Sequence, residues 1–496
     1  MTAGQFGTPA DLLIELRRRG VELWLDQELL RFRAPVGAID ETIRTAMSAW
    51  RGDLIGLVGA PADPRPLTDR QLRLWLLELR QGATPEYHMN AAFRLRGTLD
   101  LEVLQQAVHA VLRRHPVLEC VVATAADGLP VLVERPGSAE MTVISLGGAT
   151  DGLIGQVAAD FVVHPIRLAE GPLSRIGILR AGDDDHVVVL VIHHLISDDF
   201  SIRLVCTEIL DCYQALRESG RHPAGWTTRT AAGRPVDCDD ATEHRTELIV
   251  RRRDELAAAG RPRLPEPEQP CDLMPWESDT AFTVADSAER ATWEQRRRAA
   301  RATTSVLTLA LTAIAVAAAG GPAHLLIGTP FHGRDTTGDQ HAVGYFARPL
   351  IIQARVHPTT TFGELVDAIT HDVRTALTLS EISYELLADD IHSAAGGHVL
   401  WVVTYGAESL PQLSGLAVEP VPIGVDTARH DLRVALADHT THLELSVTHR
   451  RRTVDAAFAG RVTAALDLLL RRVPARADTV AAIWNRTGAV SAGGVA

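Results

Sequence analysis

The chain has 496 residues, is 46% hydrophobic and 22% charged, and carries a formal net charge of −13 with a pI near 5.9. At roughly 150 residues per domain the length supports two to four globular units with a large core; the acidic balance argues against a nucleic-acid surface, which needs clustered Lys and Arg. Five cysteines without a CxxC pair (Cys120, Cys206, Cys212, Cys238, Cys271) argue against a zinc ribbon or disulfide framework and fit a reducing cytoplasm, and the N-terminus lacks a basic-then-apolar targeting pattern.

Residues 8–19 predict a helix: Thr8 is a cap, Leu12, Leu13 and Leu16 share a face, and Gly20 ends it. Residues 21–33 alternate, with Val21, Leu23 and Leu25 on one side, a turn at Asp26-Gln27, then Leu30 and Phe32; this is a β-hairpin pattern. Residues 40–50 and 53–58 read as two short helices, and APADPRP (60–66) reads as a linker. Residues 101–114 form an amphipathic helix, with Leu101, Leu104, Ala107, Val108 and Val111 on one side. HVVVLVI (186–192) reads as a buried strand and 202–216 as a helix. Residues 217–236 are loop-like, 239–259 a charged helix, and the Pro-rich stretch to Trp276 a crossover. The apolar run 306–319 is too short to span ~30 Å of hydrocarbon and reads as a buried helix. The small-residue tail reads as disordered.

The segment with most chemistry is His193-His194-Leu195-Ile196-Ser197-Asp198-Asp199, where the apolar strand ends and a helix begins. A histidine at such a junction can accept a proton from an attacking amine near neutral pH. Other readings stand beside it. One of two adjacent histidines can be core, since they alternate faces. His194 and Asp198, four apart, suit a metal, yet no third ligand has matching spacing. Asp198 and Asp199 suit a helix N-terminus.

This segment resembles the HHxxxDG signature of nonribosomal-peptide condensation domains, and the resemblance extends over about 420 residues. Leu67-Thr68-Asp69-Arg70-Gln71-Leu72-Arg73-Leu74-Trp75 is similar to the opening (S/T)xxQxRLW motif. Residues 87–114 resemble the YN…RLxGxLD stretch, followed by His115. Ile327-Gly328-Thr329-Pro330-Phe331-His332-Gly333-Arg334 resembles the IGTPxxGR loop, Val343-Gly344-Tyr345-Phe346 the GFF segment, Arg429-His430-Asp431-Leu432 the KFDL strand, and Trp484-Asn485 the "WN" before an adenylation domain. The resemblance implies an α/β (α+β) fold of two chloramphenicol-acetyltransferase-like lobes in a V-shaped pseudodimer. It makes His194 the central catalytic residue with His193 beside it. It pairs Asp198 structurally with Arg334, and puts Asp199 where the family has Gly. The chemistry implied is attack of an acceptor amine or hydroxyl on a carrier-bound thioester. No cofactor is then bound; phosphopantetheine sits on the partner carrier proteins. Pro116, Glu119 and Cys120 depart from the RHExLRT motif, and Ser380 to Tyr384 from the HQD segment.

Residues 8 to about 58 resemble TubC-type docking domains through Leu12-Leu13, Arg19-Gly20-Val21-Glu22-Leu23-Trp24 and Leu30-Arg31-Phe32-Arg33-Ala34-Pro35. An αββαα docking unit is implied, with Val21, Leu23, Arg31, Phe32 and Arg33 receiving a C-terminal peptide of an upstream synthetase; Arg17, Arg18 and Arg19 add to its basic character. The expected division is 1–60 docking domain, 61–66 linker, 67–236 N-lobe, 237–279 inter-lobe helix and crossover, 280–484 C-lobe and 485–496 disordered tail. Alternative readings are a catalytically inactive recruitment platform, an epimerisation domain and a CoA-dependent acyltransferase. Neither nucleic acid nor membrane is an expected partner.

Overall fold

The computed structural model describes residues 12, 16, 19, 21–26, 29–35, 38–51, 54, 64–125, 127–223, 226, 247, 250–256, 263–268, 273–379, 398–406, 410–423, 428–439 and 441–486. Most of the expected helices 8–19, 53–58 and 239–259, and the 380–384 segment, lie outside them.

The hairpin forms as its alternation predicts: β1 (Glu22–Asp26) pairs antiparallel with β2 (Leu29–Arg33), with Leu25 opposite Leu30 and Leu23 opposite Phe32. Helix Glu41–Ala49 follows, capped by Asp40, which accepts from the Ile43 amide. Leu12, Leu16, Val21, Ile43, Ala46 and Leu54 make a small core of their own.

The first lobe begins earlier than its motif suggests. β3 (Arg65–Pro66) pairs with β6 (Pro130–Glu134), which also pairs with β5 (Cys120–Thr124), so part of the expected linker is sheet. The main sheet of this lobe holds β4 (His88–Arg96), β7 (Glu140–Ser145), β8 (Ser174–Gly182) and β9 (Asp185–His193). Val187 to Ile192 are at most 2% exposed, as an unbroken β-branched run on a doubly covered strand should be. Helix Leu101–Arg114 has the expected bounds, whereas helix Asp199–Ser219 starts three residues early because Asp198 caps it.

The second lobe has a six-stranded sheet in the order β10 (Ser278–Ala285), β16 (Leu443–Arg450), β15 (Leu432–Asp438), β13 (Leu400–Tyr405), β11 (His324–Phe331), β12 (Arg348–Arg355). Helices Thr304–Ala318, Phe362–Thr378 and Ala456–Arg471 cover it. Eleven consecutive residues of the first, Val306 to Val316, are buried, and no single described helix is long and apolar enough to cross a membrane. Gly328 is required where it stands: a Cβ there would meet the Trp401 ring at 2.2 Å.

Two features depart from the expected division of the chain. β14 (Ala417–Pro420) leaves the second lobe and adds to the edge of the first lobe's sheet, antiparallel to β4. Asn485 and Arg486, expected in a disordered tail, continue helix Val480–Arg486, whose Trp484 donates to the Ile314 carbonyl at 3.4 Å.

Candidate active site

The site is assembled where β9 stops. Leaving the strand, the chain turns through Leu195 to Ser197, and helix Asp199–Ser219 starts. The opening TxxQ motif supports this turn. Thr68 and Gln71 form a capping box on helix Asp69–Gln81, and the Gln71 amide donates to the Leu195 carbonyl at 2.8 Å.

The two histidines separate. His193 is 3% exposed, and its Nδ1 accepts from the Leu195 amide at 3.1 Å. Burial, with His88 adding, lowers its pKa to about 3. It is a neutral core group, which corrects its expected place in the catalytic set. The half-buried ring of His194 has its centroid 4.4 Å from that of Tyr345, and the His194 amide donates to the Tyr87 carbonyl at 2.8 Å. Its Nδ1 lies 2.6 Å from the Ser197 carbonyl. A carbonyl only accepts, so Nδ1 carries the hydrogen and Nε2 keeps its lone pair. Burial, then the Arg429 cation, hold its pKa well below 6.5; the ring is a neutral proton acceptor at pH 7.

Asp198 does not join that chemistry. Oδ1 accepts from the Ser201 amide, the Ser201 hydroxyl and Arg334 Nη2 at 2.8, 2.8 and 2.9 Å. Oδ2 accepts from the Phe346 and Ala347 amides at 3.0 and 3.1 Å. With both oxygens so engaged, Asp198 is a poor metal ligand. Arg334 lies between the Phe200 and Phe346 rings, 4.3 and 4.2 Å from their centres, and donates to the Asp339 and Ala342 carbonyls. Gly333 has φ +61°, and a Cβ there would meet the Phe346 carbonyl at 2.2 Å, so the GR pair of the loop motif is set by backbone approach.

Asp199 is the first residue of helix Asp199–Ser219. A carboxylate beside His194 would raise the imidazole pKa, yet that of Asp199 pairs with Arg203 at 3.1 Å, and the cation acting on the imidazole is Arg429. Its side chain is 45% exposed although burial among surrounding protein raises its pKa. Solvent reaches it in an enclosed place. Sequence reasoning left Ser201, Tyr345, Phe346 and Arg429 without roles. All four lie inside the quoted motifs or next to them, which is the signal that could have found them.

In the N-terminal unit, Val21 is 2% exposed in the core, so it supports the hairpin and offers no surface to the expected peptide. Leu23 also packs on that core. Arg31 and Phe32 are exposed, Phe32 at 53%. Arg19 is paired with Asp40 at 2.7 Å, which removes it from the expected basic cluster.

The model of the condensation domain matches residues 62–229 and 255–478. The chain belongs to the condensation-domain family. The TubC N-terminal docking domain matches residues 10–58. Among curated relatives, the isonitrile lipopeptide synthase of Mycobacterium tuberculosis is 28% identical over 400 residues, covering 75% of this chain and 16% of that protein. Phosphinothricin tripeptide synthetase PhsC of Streptomyces viridochromogenes is 27% identical over 344 residues, covering 66% and 31%. This condensation-family chain thus spans less than a third of either relative. Among solved structures, the first condensation domain of the calcium-dependent antibiotic synthetase, in complex with a substrate analogue, aligns with a TM-score of 0.70 at 17% identity, covering 85% of this chain and 98% of that one. The X-domain from teicoplanin biosynthesis aligns at 0.68 and 21%, covering 84% and 97%. These likenesses establish the two-lobed fold.

Proposed function

We propose that the chain is an acyltransferase that joins an acceptor amine or hydroxyl to an acyl or peptidyl group held as a thioester on a carrier protein. His194 Nε2 accepts the proton of the nucleophile as its nitrogen or oxygen attacks the thioester carbonyl; as the tetrahedral intermediate collapses, the C–S bond breaks and the imidazolium returns that proton to the departing sulfur, which leaves as the thiol. The observation that carries this reading is the hydrogen bond from His194 Nδ1 to the Ser197 carbonyl, which leaves Nε2 unprotonated. His193 and Asp198 hold the loop, and Asp198 with Arg334 ties the lobes. Much of the rate comes from holding two tethered substrates together. Both arrive on the phosphopantetheine arms of partner carriers, in the cytoplasm. Residues 1–60 recruit an upstream synthetase through its C-terminal peptide, with Arg31, Phe32 and Arg33 on the receiving strand.

The test is incubation with an acylated donor carrier and candidate acceptors, followed by mass spectrometry. Condensed product that disappears in His194→Ala supports the reading; equal product from both proteins defeats it. A recruitment platform is the second reading, favoured by Asp199 in place of the family's Gly. It is supported if neither protein condenses any acceptor while a partner protein co-purifies with both.

A further inference from the structure

Near His194, Arg203, Arg433 and Arg429 all act electrostatically on the Asp199 carboxylate, and among the described residues Arg203 alone pairs with it. Arg433, on β15, donates to the Tyr405 hydroxyl, on β13, at 2.5 Å. The guanidinium carbons of Arg203 and Arg433 lie 5.8 and 5.9 Å from the centre of the Tyr405 ring, so both cations border one aromatic surface. Arg429 reaches across from the second lobe until its Nη2 is 3.8 Å from Met89 Sδ, on β4 of the first lobe. Among the described residues no carboxylate lies within the 4.0 Å ion-pair distance of Arg429 or Arg433.

This arrangement is held in place. Arg450 donates to the Ala428 and Arg429 carbonyls at 2.8 and 2.9 Å, and its guanidinium pairs with Glu86 of the first lobe at 2.9 Å. The backbone carrying Arg429 is therefore anchored to both lobes. Solvent reaches the neighbourhood, since the side chains of Arg203 and Asp199 are 33% and 45% exposed. A guanidinium taken partly out of water without a counter-ion is unfavourable, and burial indeed lowers the Arg429 pKa. A bound anion removes that penalty, and the planar guanidinium fork matches a carboxylate in two-point contact.

We propose that Arg429 and Arg433 form an anion subsite that recognises a carboxylate on the substrate, a proposal that rests on reading His194 as the condensation centre. The carboxylate has two possible sources, the side chain of a carrier-tethered aminoacyl group or the main-chain carboxylate of a free amino acid.

Calorimetry on the full chain separates them. One arm compares glutamyl- with glutaminyl-pantetheine, both as stable amide analogues; the other compares glycine with glycinamide. Within each arm both ligands carry an ammonium, and at the position tested the first has a charged carboxylate and the second a neutral amide. The charged ligand of one arm is expected to bind about tenfold to a hundredfold more tightly than its neutral partner. Arg429→Gln or Arg433→Gln should bring that ratio close to one while the neutral ligand binds as before. Asp199→Asn, which removes a negative charge that acts on both Arg429 and Arg433, should raise affinity for the charged ligand severalfold. Equal binding in both arms, or a preference that survives both arginine substitutions, would overturn the proposal. If the arginine variants fail to fold, Asp199→Asn decides, and unchanged or weaker binding of the charged ligand overturns it. Binding needs no turnover. A wild type that discriminates without condensing defeats the condensation reading alone, whereas one that condenses charged and neutral acceptors equally defeats the subsite alone.

Discussion

Asp198 and Arg334, 136 residues apart in sequence, meet at 2.9 Å with side chains 3% and 1% exposed. Their pairing joins the start of helix Asp199–Ser219 in one lobe to the loop after β11 in the other. Removing one partner leaves an uncompensated charge in a place water barely reaches. Asp198→Ala should therefore cost on the order of 3–5 kcal/mol, much of it from Arg334 left without its counter-charge. The measurement is a urea melt of wild type, Asp198→Ala and His194→Ala. His194→Ala should melt close to wild type, and equal loss in both variants would count against the lobe-tying role of Asp198.

His194→Ala should lower turnover by roughly 10²-fold or more, because a positioned general base contributes about that much. The pH profile adds a second readout. The folded pKa of His194 lies well below 6.5, so the acceptor form of the ring persists as pH falls through 6.5. With an acceptor that stays unprotonated over this range, such as a hydroxyl, turnover should remain level between pH 7.5 and 6. A loss of half the activity near 6.5 would mean that the imidazole is not held neutral.

Acid should unfold the first lobe through its buried histidines. His88 donates from Nδ1 to the Val162 carbonyl and accepts at Nε2 from the Ile166 amide, so a second ring proton would face an N–H. Burial lowers its pKa to about 4, and that of His193 to about 3. Both folded values lie below that of an exposed histidine, so the unfolded chain takes up protons first as pH falls. The stability tied to the neutral forms is complete above pH 6.5. It is lost between 6.5 and about 4 for His88, and on down to about 3 for His193. At roughly 1.4 kcal/mol per pH unit, His88 alone removes on the order of 3 kcal/mol by pH 4. Urea melts from pH 7.5 to 4.5 should show at least that slope, since His193 adds to it, and His88→Gln, which keeps a donor and an acceptor, should reduce it to the part that His193 supplies. A variant as acid-sensitive as wild type would point to other groups.

On the docking unit, Arg31→Glu combined with Phe32→Ser should weaken binding of an upstream C-terminal peptide at least tenfold without changing the unit's melting point, and wild-type binding should weaken with salt. Val21→Ser should do the reverse and lower the melting point, since Val21 belongs to the core. Peptide affinity indifferent to Arg31 and Phe32 would move the receiving surface elsewhere.

How far the sequence could be read follows from the range of each interaction. Elements set by local pattern were legible: the hairpin from its alternation, helix Leu101–Arg114 from its apolar face, β9 from its β-branched run. So was the Asp198–Arg334 pair, because a family resemblance carries long-range pairings that spacing alone does not. The split between His193 and His194 was only half legible. Alternation places them on different faces, but which face is core depends on Leu195 and Ser197 closing the turn. Arg429 was missed because its importance comes from Met89, Tyr87 and Tyr345, all more than 80 positions away. β14 was missed because four residues of mixed polarity have no strand signature until β4 offers an edge.

That short strand has a consequence for how the protein can come apart. β14 is donated by one lobe to the other's sheet, with Val418 opposite Leu95 and Arg96 paired to Glu419 at 2.8 Å. A polypeptide severed between the lobes, after residue 226 and before residue 247, where the following segment joins the second lobe's core through Leu256 and Leu264, would yield a first fragment whose β4 edge is bare and a second carrying the matching strand. Such fragments should find each other and reconstitute in trans, as split reporters do. The same exchange between two intact chains is a ready route to a domain-swapped dimer.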